Sequence, residues 1–519
     1  MNRRVVMLTP HTLSHRTAEE TLALGYLGRI LREKGWDTVV IDAWLENLNP
    51  SQILERALDG KTPDLLCFSC YRSNLAEAKE LLMFFHEKLG NIPSVCGGYG
   101  PTFHDEDFLN AGFTVSVRGE AEHIIAELVE ALCRRSELGH IPGITFKDDD
   151  GKMVRTQKSV PVENLDLLLF PIRDTVESSV KRRNPIHICT SRGCMAHCTF
   201  CSVIAFTKDG LGSPWRSRSV ENIVDELRSV VENYRVYHFK FVDDSFLEPP
   251  RDERWVESFA ELLERQSLSI RFRTQVRADR LTPAIVRGLK RAGWFATSVG
   301  IENGSARALK RMGKSATVHD NLTALALLKE YGIYVQMGMI LFDHMTNIGE
   351  LEENYNFLTT HDWVVTKGIF TEMFAAQGTP FTRNLLKKDL LKVGLDNQNY
   401  SFDVQDSTAR RVHHLLKEWH RAHAQTYDWV IDSISAPKVL PDEGYKEVHI
   451  LCRELLHLDL MFFRTVLDFV KTDQKGDERL LAEEISTHAH QYITIRNATD
   501  GIYRTYDLVY DGILNPFLC

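Results

Sequence analysis

TSRGCMAHCTFC (residues 190–201) sets Cys194, Cys198 and Cys201 at C-x₃-C-x₂-C spacing in one short loop that follows an apolar run. Thiolates are soft ligands that select iron–sulfur clusters or zinc. A cubane cluster normally takes four cysteines, so three in one loop leave one iron open to another ligand. Zinc sites more often join two C-x₂-C pairs, and the nearest other pair, Cys67 and Cys70, lies in a segment of different pattern. An open iron supports chemistry as well as electron storage.

Outward from this loop, strand and helix patterns alternate for about 200 residues. The candidate strands are residues 186–190, 239–243, 270–276, 296–301, 333–341 and 366–374. Six such units predict a partial (β/α)6 TIM-type barrel, with its chemistry at the carboxyl ends of the strands. Upstream, apolar runs at 5–8, 38–41, 65–68, 92–96 and 114–117 alternate with helical patterns at 22–31 and about 75–89. That alternation predicts a doubly wound, Rossmann-like α/β domain over 1–140 with a parallel sheet and ligand loops at its carboxyl edge. Residues 141–185 read as a hairpin with an Asp-Gly turn, then a Pro-punctuated linker; 186–400 form the barrel. Over 401–519 the pattern is helical, with Val412, Leu415, Leu416 and Trp419 on one face.

The composition sets limits. A chain of 519 residues exceeds one ordinary core. Net charge −9 argues against nucleic acid as a partner, no apolar stretch approaches a membrane span, and no signal-peptide core opens the chain. A cytoplasmic location with reduced thiols is the expectation.

Two loops in the first domain carry further signal. Gly97-Gly98-Tyr99-Gly100-Pro101-Thr102 and Arg118-Gly119-Glu120-Ala121-Glu122 each follow a strand. Glycines there let the backbone approach a bulky ligand, or mark a tight turn. Cys67 and Cys70 sit in an apolar run and read as structural residues, not a redox pair. His413, His414, His420 and His423 read as helix-surface or core residues.

The cysteine loop, with the aromatic Phe200 before its last cysteine, resembles the cluster loop of radical S-adenosylmethionine (SAM) enzymes. Met195 departs from the Pro of many relatives. GGYGPT and RGEAE resemble the GG-x-x-x-T and RGE-x-E signatures of the cobalamin-binding domain that precedes the barrel in one large subfamily, the class B methyltransferase-like enzymes. The resemblance implies a [4Fe–4S] cluster on Cys194, Cys198 and Cys201, SAM at the open iron, and cobalamin over Gly97, Gly98, Thr102, Arg118, Gly119 and Glu120. No D-x-H-x-x-G loop follows the first strand, so His11 and His15 are expected to be loop residues and the cobalt to lack a protein histidine.

In the barrel, Asp243 and Asp244 resemble the family's DD-x-F segment, Glu302 its GIES-type segment, and Gly338 the small residue of G-x-I-x-G, with Phe342 in place of the second glycine. Arg273, Gln275 and Arg277 share one strand face, and Arg277 either meets the SAM carboxylate or pairs with Asp243, Asp244 or Glu302. Gln377-Gly378-Thr379 resembles the family's PGT turn.

The implied enzyme cleaves SAM reductively to a 5′-deoxyadenosyl radical that abstracts substrate hydrogen, and methyl transfer from methylcobalamin to an unactivated carbon follows. Radical cyclisation, ring contraction or rearrangement with the same cofactors is the enzymatic alternative, and a cobalamin or redox sensor the non-enzymatic one. No acid–base catalytic residue is implied. The partners implied are a small-molecule or peptide-derived substrate, beneath the helical C-terminal cap, and an electron donor of flavodoxin or ferredoxin type.

Overall fold

The computed structural model describes residues 3–11, 18–209, 212–393, 400–432, 438–472 and 476–508. The chain divides into two compact units: Met1–Lys181 with Ile186–Cys194 and Ser202–Val236, and Arg182–Pro185 with Met195–Cys201 and Tyr237–Cys519.

In the first unit, β1 (Arg4–Thr9), β2 (Asp37–Asp42), β3 (Leu65–Ser69), β4 (Ser94–Gly97) and β5 (Val115–Val117) form parallel pairs in the order 2-1-3-4-5. Every residue of β1 is buried because both faces of the sheet are covered. With the strand period of two, Val5 and Met7 enter one core beside Leu24 and Leu128, while Val6 and Leu8 enter the other beside Ile53 and Phe85. The winding reverses between β1 and β3, where doubly wound sheets bind ligands. Helix Pro50–Leu58 is started by a reciprocal Asn49–Gln52 cap with Pro50 in its first turn.

The sheet is not purely parallel. The hairpin β6 (Ile144–Lys147) and β7 (Met153–Arg155) adds to the outer edge of β5 in antiparallel register, covering amides and carbonyls that would otherwise be an open edge. After the connector comes β8 (Ile186–Ile188), then a two-stranded antiparallel ribbon of β9 (Ser191–Gly193) and β10 (Trp215–Ser217).

The second unit holds β11 (His238–Phe241), β12 (Arg271–Arg277), β13 (Trp294–Glu302) and β14 (Tyr334–Met339), paired in parallel and separated by helices Glu253–Arg265, Pro283–Arg291 and Val318–Glu330. The sixth strand expected over 366–374 is not regular. Among the described residues this segment pairs through two isolated bridges, Gln336–Val365 and Phe342–Glu372, with Lys367 and Gly368, at φ +98°, interrupting the run between them.

Helices Ser407–Ala422, Asp442–Lys471 and Asp477–Thr505 follow. Val412, Leu415, Leu416 and Trp419 are buried as their periodicity requires, and Trp419 stacks on Phe462 at 4.2 Å. Buried Asp459 accepts from Trp419 Nε1 (3.0 Å) and from the Tyr427 hydroxyl, and burial pushes its carboxyl up to about 7. His413 lies 3.1 Å from the Glu372 carboxylate, His420 packs on Phe370 and His423 stacks on Tyr492. Among the described residues no helix is long and apolar enough to cross a membrane.

Candidate functional site

The approach to the first cysteine is built from the ribbon. Gly193 has φ +87°, and a Cβ there would stand 2.1 Å from Pro214 O, so only glycine lets β9 and β10 close this tightly. The Cys194 amide donates to the same carbonyl at 3.0 Å. Arg192 and Arg216 lie directly opposite each other across the ribbon. Two like charges in register repel. Glu120 and Glu122 resolve this: Arg192 reaches Glu120 at 3.0 Å and Glu122 at 2.6 Å, while Arg216 reaches Glu120 at 2.5 Å and donates to Val162 O at 2.7 Å. Burial disfavours the Glu120 charge, but the Arg216 hydrogen bond and the two guanidinium charges outweigh it and hold the carboxyl below its ordinary range.

The glycine-rich loop is tied to the same region. The Thr102 hydroxyl donates to Gly98 O (2.7 Å) and accepts from the Gly119 amide (3.0 Å), joining the two signature loops. Gly98 (φ +107°) and Gly100 are required by protein backbone: a Cβ would lie 2.8 Å from Cys70 O or 2.5 Å from the Tyr71 carbonyl carbon. The close approach these two glycines permit is thus to residues 70–72. Gly97 has only an ordinary contact with Val117. Gly119, at φ +81°, has nothing within 4 Å of its missing side chain and borders a cleft with Glu120, Lys158, Ser159, Phe206 and Arg216. Arg118 turns toward the hairpin and donates to Thr156 O (2.6 Å) and Ile144 O (3.3 Å). Phe206, in helix Ser202–Asp209, packs on Tyr99 at 4.7 Å.

His11 Nε2 lies 2.8 Å from Leu48 O; His15 is outside the described residues. Cys67 and Cys70 are buried, and burial pushes the Cys67 thiol up to about 12, in keeping with a structural role.

In the second unit the rest of the cysteine loop is clamped through its backbone. The Thr199 amide donates to Met312 O (2.8 Å), and the Phe381 amide to Thr199 O (2.8 Å). Phe381 lies in the first turn of the helix Pro380–Lys387, capped by Thr379 of the Gln377-Gly378-Thr379 turn. Gly313 (φ +66°) passes so near that a Cβ would lie 3.0 Å from His197 O. Phe200 packs against the core of Met312, Met373 and Phe381.

Lys314 follows. Burial raises the Cys198 thiol, and the Lys314 charge opposes that rise. Lys314 Nζ pairs with Glu302 Oε1 at 3.0 Å. Glu302 is itself in the left-handed region (φ +66°), after a register shift at the end of β13, and its carboxylate folds back over Gly300, where a Cβ would lie 2.6 Å away. Gly338, opposite Gly300 on β14, keeps the same face clear.

Arg277 has other partners than those expected. It donates to Glu248 (3.0 Å) and in two bonds to Asp279 (3.0 and 2.6 Å). Asp243 is buried 3.6 Å from Arg251, whose guanidinium lies over Trp255; Asp244 is half-buried beside it. Gln275 is exposed, and Arg273 bonds Ser298 and Gln336. The geometry therefore brings Glu302, Lys314, Gly300 and Gly338 together, and Arg277, paired with Glu248 and Asp279, still bears by its charge on Cys198 and Lys314. Lys314, Arg192 and Arg216 were not distinguished by sequence reading; Lys314 and Arg192 each adjoin a loop glycine, and Arg216 carries no local signal.

Known proteins resemble this chain in sequence and in fold. Residues 13–129 match the B12 binding domain model and residues 188–358 the radical SAM superfamily model. An uncharacterized methyltransferase of Pyrococcus horikoshii is 27% identical over 63% of this chain and 70% of its own length. An anaerobic magnesium-protoporphyrin IX monomethyl ester cyclase of Rubrivivax gelatinosus is 26% identical over 66% of this chain and 61% of its own. The fold is that of the cobalamin-dependent SAM radical enzyme OxsB, solved with aqua-cobalamin bound: TM-score 0.75 at 20% identity, over 97% of this chain and 80% of that one.

The radical SAM domain implies a [4Fe–4S] cluster and SAM, and the B12-binding domain implies cobalamin. Among the described residues no three His, Cys, Asp or Glu side chains converge as for a single ion. A cubane places each cysteine on its own iron, so three thiols in one loop fit it without such convergence. The open space at Gly119, on the carboxyl edge of the sheet, suits a bulky cofactor.

Proposed function

We propose that this chain, a member of the radical SAM superfamily carrying a B12-binding domain, transfers a methyl group to an unactivated carbon of a small-molecule or peptide-derived substrate. That it is a cobalamin-dependent radical SAM enzyme follows from its two domains. When bound, the cluster supplies the electron that cleaves SAM, and cobalamin carries the methyl group. The electron comes from an external donor of flavodoxin or ferredoxin type.

The chain's own residues hold and orient these groups. Cys194, Cys198 and Cys201 ligate the cluster. Glu302 and Lys314, paired over the cleared face of Gly300 and Gly338, present one carboxylate and one ammonium to the amino and carboxylate groups of SAM. Gly97, Gly98, Thr102 and Gly119 frame the cobalamin loops. Arg277, held by Glu248 and Asp279 at the end of its strand, adds a second positive charge near Cys198.

The observation that supports methyl transfer is the likeness to the Pyrococcus horikoshii methyltransferase. The cyclase relative supports a second reading, radical ring closure with the same cofactors. Reconstituted protein, given reductant, SAM with a deuterated methyl group and a cell extract, separates them by mass spectrometry. A product carrying the deuterated methyl is expected. A product of unchanged or hydrogen-depleted skeleton, without label, contradicts methylation and favours cyclisation.

A further inference from the structure

Both RGE-x-E carboxylates are committed to arginines. Glu122 is spent on Arg192 and Glu120 on both Arg192 and Arg216, and the two arginines are cross-strand partners on the ribbon that ends at Cys194. Arg192 is two residues before Cys194, and Arg216 two after Pro214, whose carbonyl receives the Cys194 amide. With Arg216 also fixed to Val162 O and Arg192 packed over the Tyr26 ring, each guanidinium is pinned from more than one side. Gly193 leaves the ribbon no slack at this point. A carboxylate pair on a loop of the B12-binding domain thereby sets the position of the backbone from which the first cluster cysteine projects.

We propose that Glu120 and Glu122 are positioning residues for the iron–sulfur cluster, acting through Arg192 and Arg216 on Cys194, and not ligands of cobalamin. Residues outside the ligand set that orient a metal ligand commonly change metal retention by about 10–100-fold when removed. The inference rests on the cluster reading but is independent of methyl transfer.

The test compares anaerobically reconstituted wild-type protein with Glu122→Gln and with Glu120→Gln/Glu122→Gln. Iron per chain, the rate of iron loss to a chelator, the electron paramagnetic resonance spectrum of the reduced cluster and retained hydroxocobalamin are measured on each. Iron loss is expected to be faster by about tenfold or more in the double variant, with an altered cluster spectrum and cobalamin retained. Glu122→Gln, which leaves Glu120 on both arginines, lies between. Arg192→Gln, which removes the cation that both carboxylates share, is expected to speed iron loss in the same direction with cobalamin retained. Cobalamin lost with iron retention and spectrum unchanged overturns the proposal and assigns the carboxylates to cobalamin. Unchanged iron retention in both Glu122→Gln and Arg192→Gln overturns it even where the double variant does not fold.

Discussion

The chain on either side of Met195 is held by different physics. Before it, the ribbon leading to Cys194 is fixed by charged side chains: two arginines, two glutamates and a glycine that admits a carbonyl. After it, residues 197–199 are fixed by amide-to-carbonyl bonds to Met312 and Phe381, while the charges of Lys314 and Arg277 oppose the rise of the Cys198 thiol. A charge network is tuned by electrostatics and by proton concentration. A backbone clamp is tuned by packing and by conformational freedom. Hydrogen exchange of the two peptides, one ending at Cys194 and one covering residues 197–201, reads each support separately, with about 1.4 kcal/mol for each tenfold change in opening.

Gly193→Ala breaks the first support most severely. It combines a left-handed φ with a 2.1 Å approach to Pro214 O, and the expected loss of local stability is about 4 kcal/mol, with exchange at Cys194 close to that of an unfolded segment. Unchanged protection there would mean the ribbon does not order the cysteine. Glu302→Gln comes next. It leaves the buried Lys314 ammonium without its carboxylate, and about 3 kcal/mol is expected to be lost, read as faster exchange at the end of β13 while the ribbon peptide is unaffected. Gly313→Ala is milder, about 1–2 kcal/mol, because His197 O at 3.0 Å can yield slightly; it should loosen the 197–201 peptide alone.

The smallest effect is acid sensitivity. Glu120 is held below its ordinary value, so its contribution is fully present above the usual glutamate range near pH 4.3 and is lost as pH falls through the depressed value. In cluster-free protein the ribbon peptide should lose protection, corrected for intrinsic exchange, on acidification below about pH 4, and Glu120→Gln should flatten that dependence. The Thr199–Met312 bond has no proton to lose in this range.

Much of the fold was legible. Short apolar runs at 5–8, 38–41 and 65–68 lie within β1, β2 and β3, because a doubly covered strand needs apolar residues on both faces. The irregular sixth strand was not, since Val365 and Glu372 pair while the apolar residues between them do not, and hydropathy alone cannot register that. The cysteine spacing is local and therefore readable. The partners of Glu120 lie 72 and 96 residues away, and no spacing rule joins them. Gly98 and Gly100 were readable as close-approach positions, but what approaches them, the backbone of residues 70–72, is a tertiary fact.

The central claim, one chain that carries both cofactors, is tested most directly by metal content. The protein is purified without oxygen, reconstituted with iron, sulfide and hydroxocobalamin, freed of excess cofactor, and measured for iron and cobalt per chain. About four irons and one cobalt are expected. Iron without retained cobalt would contradict the two-cofactor account and remove cobalamin-dependent methyl transfer as its reaction.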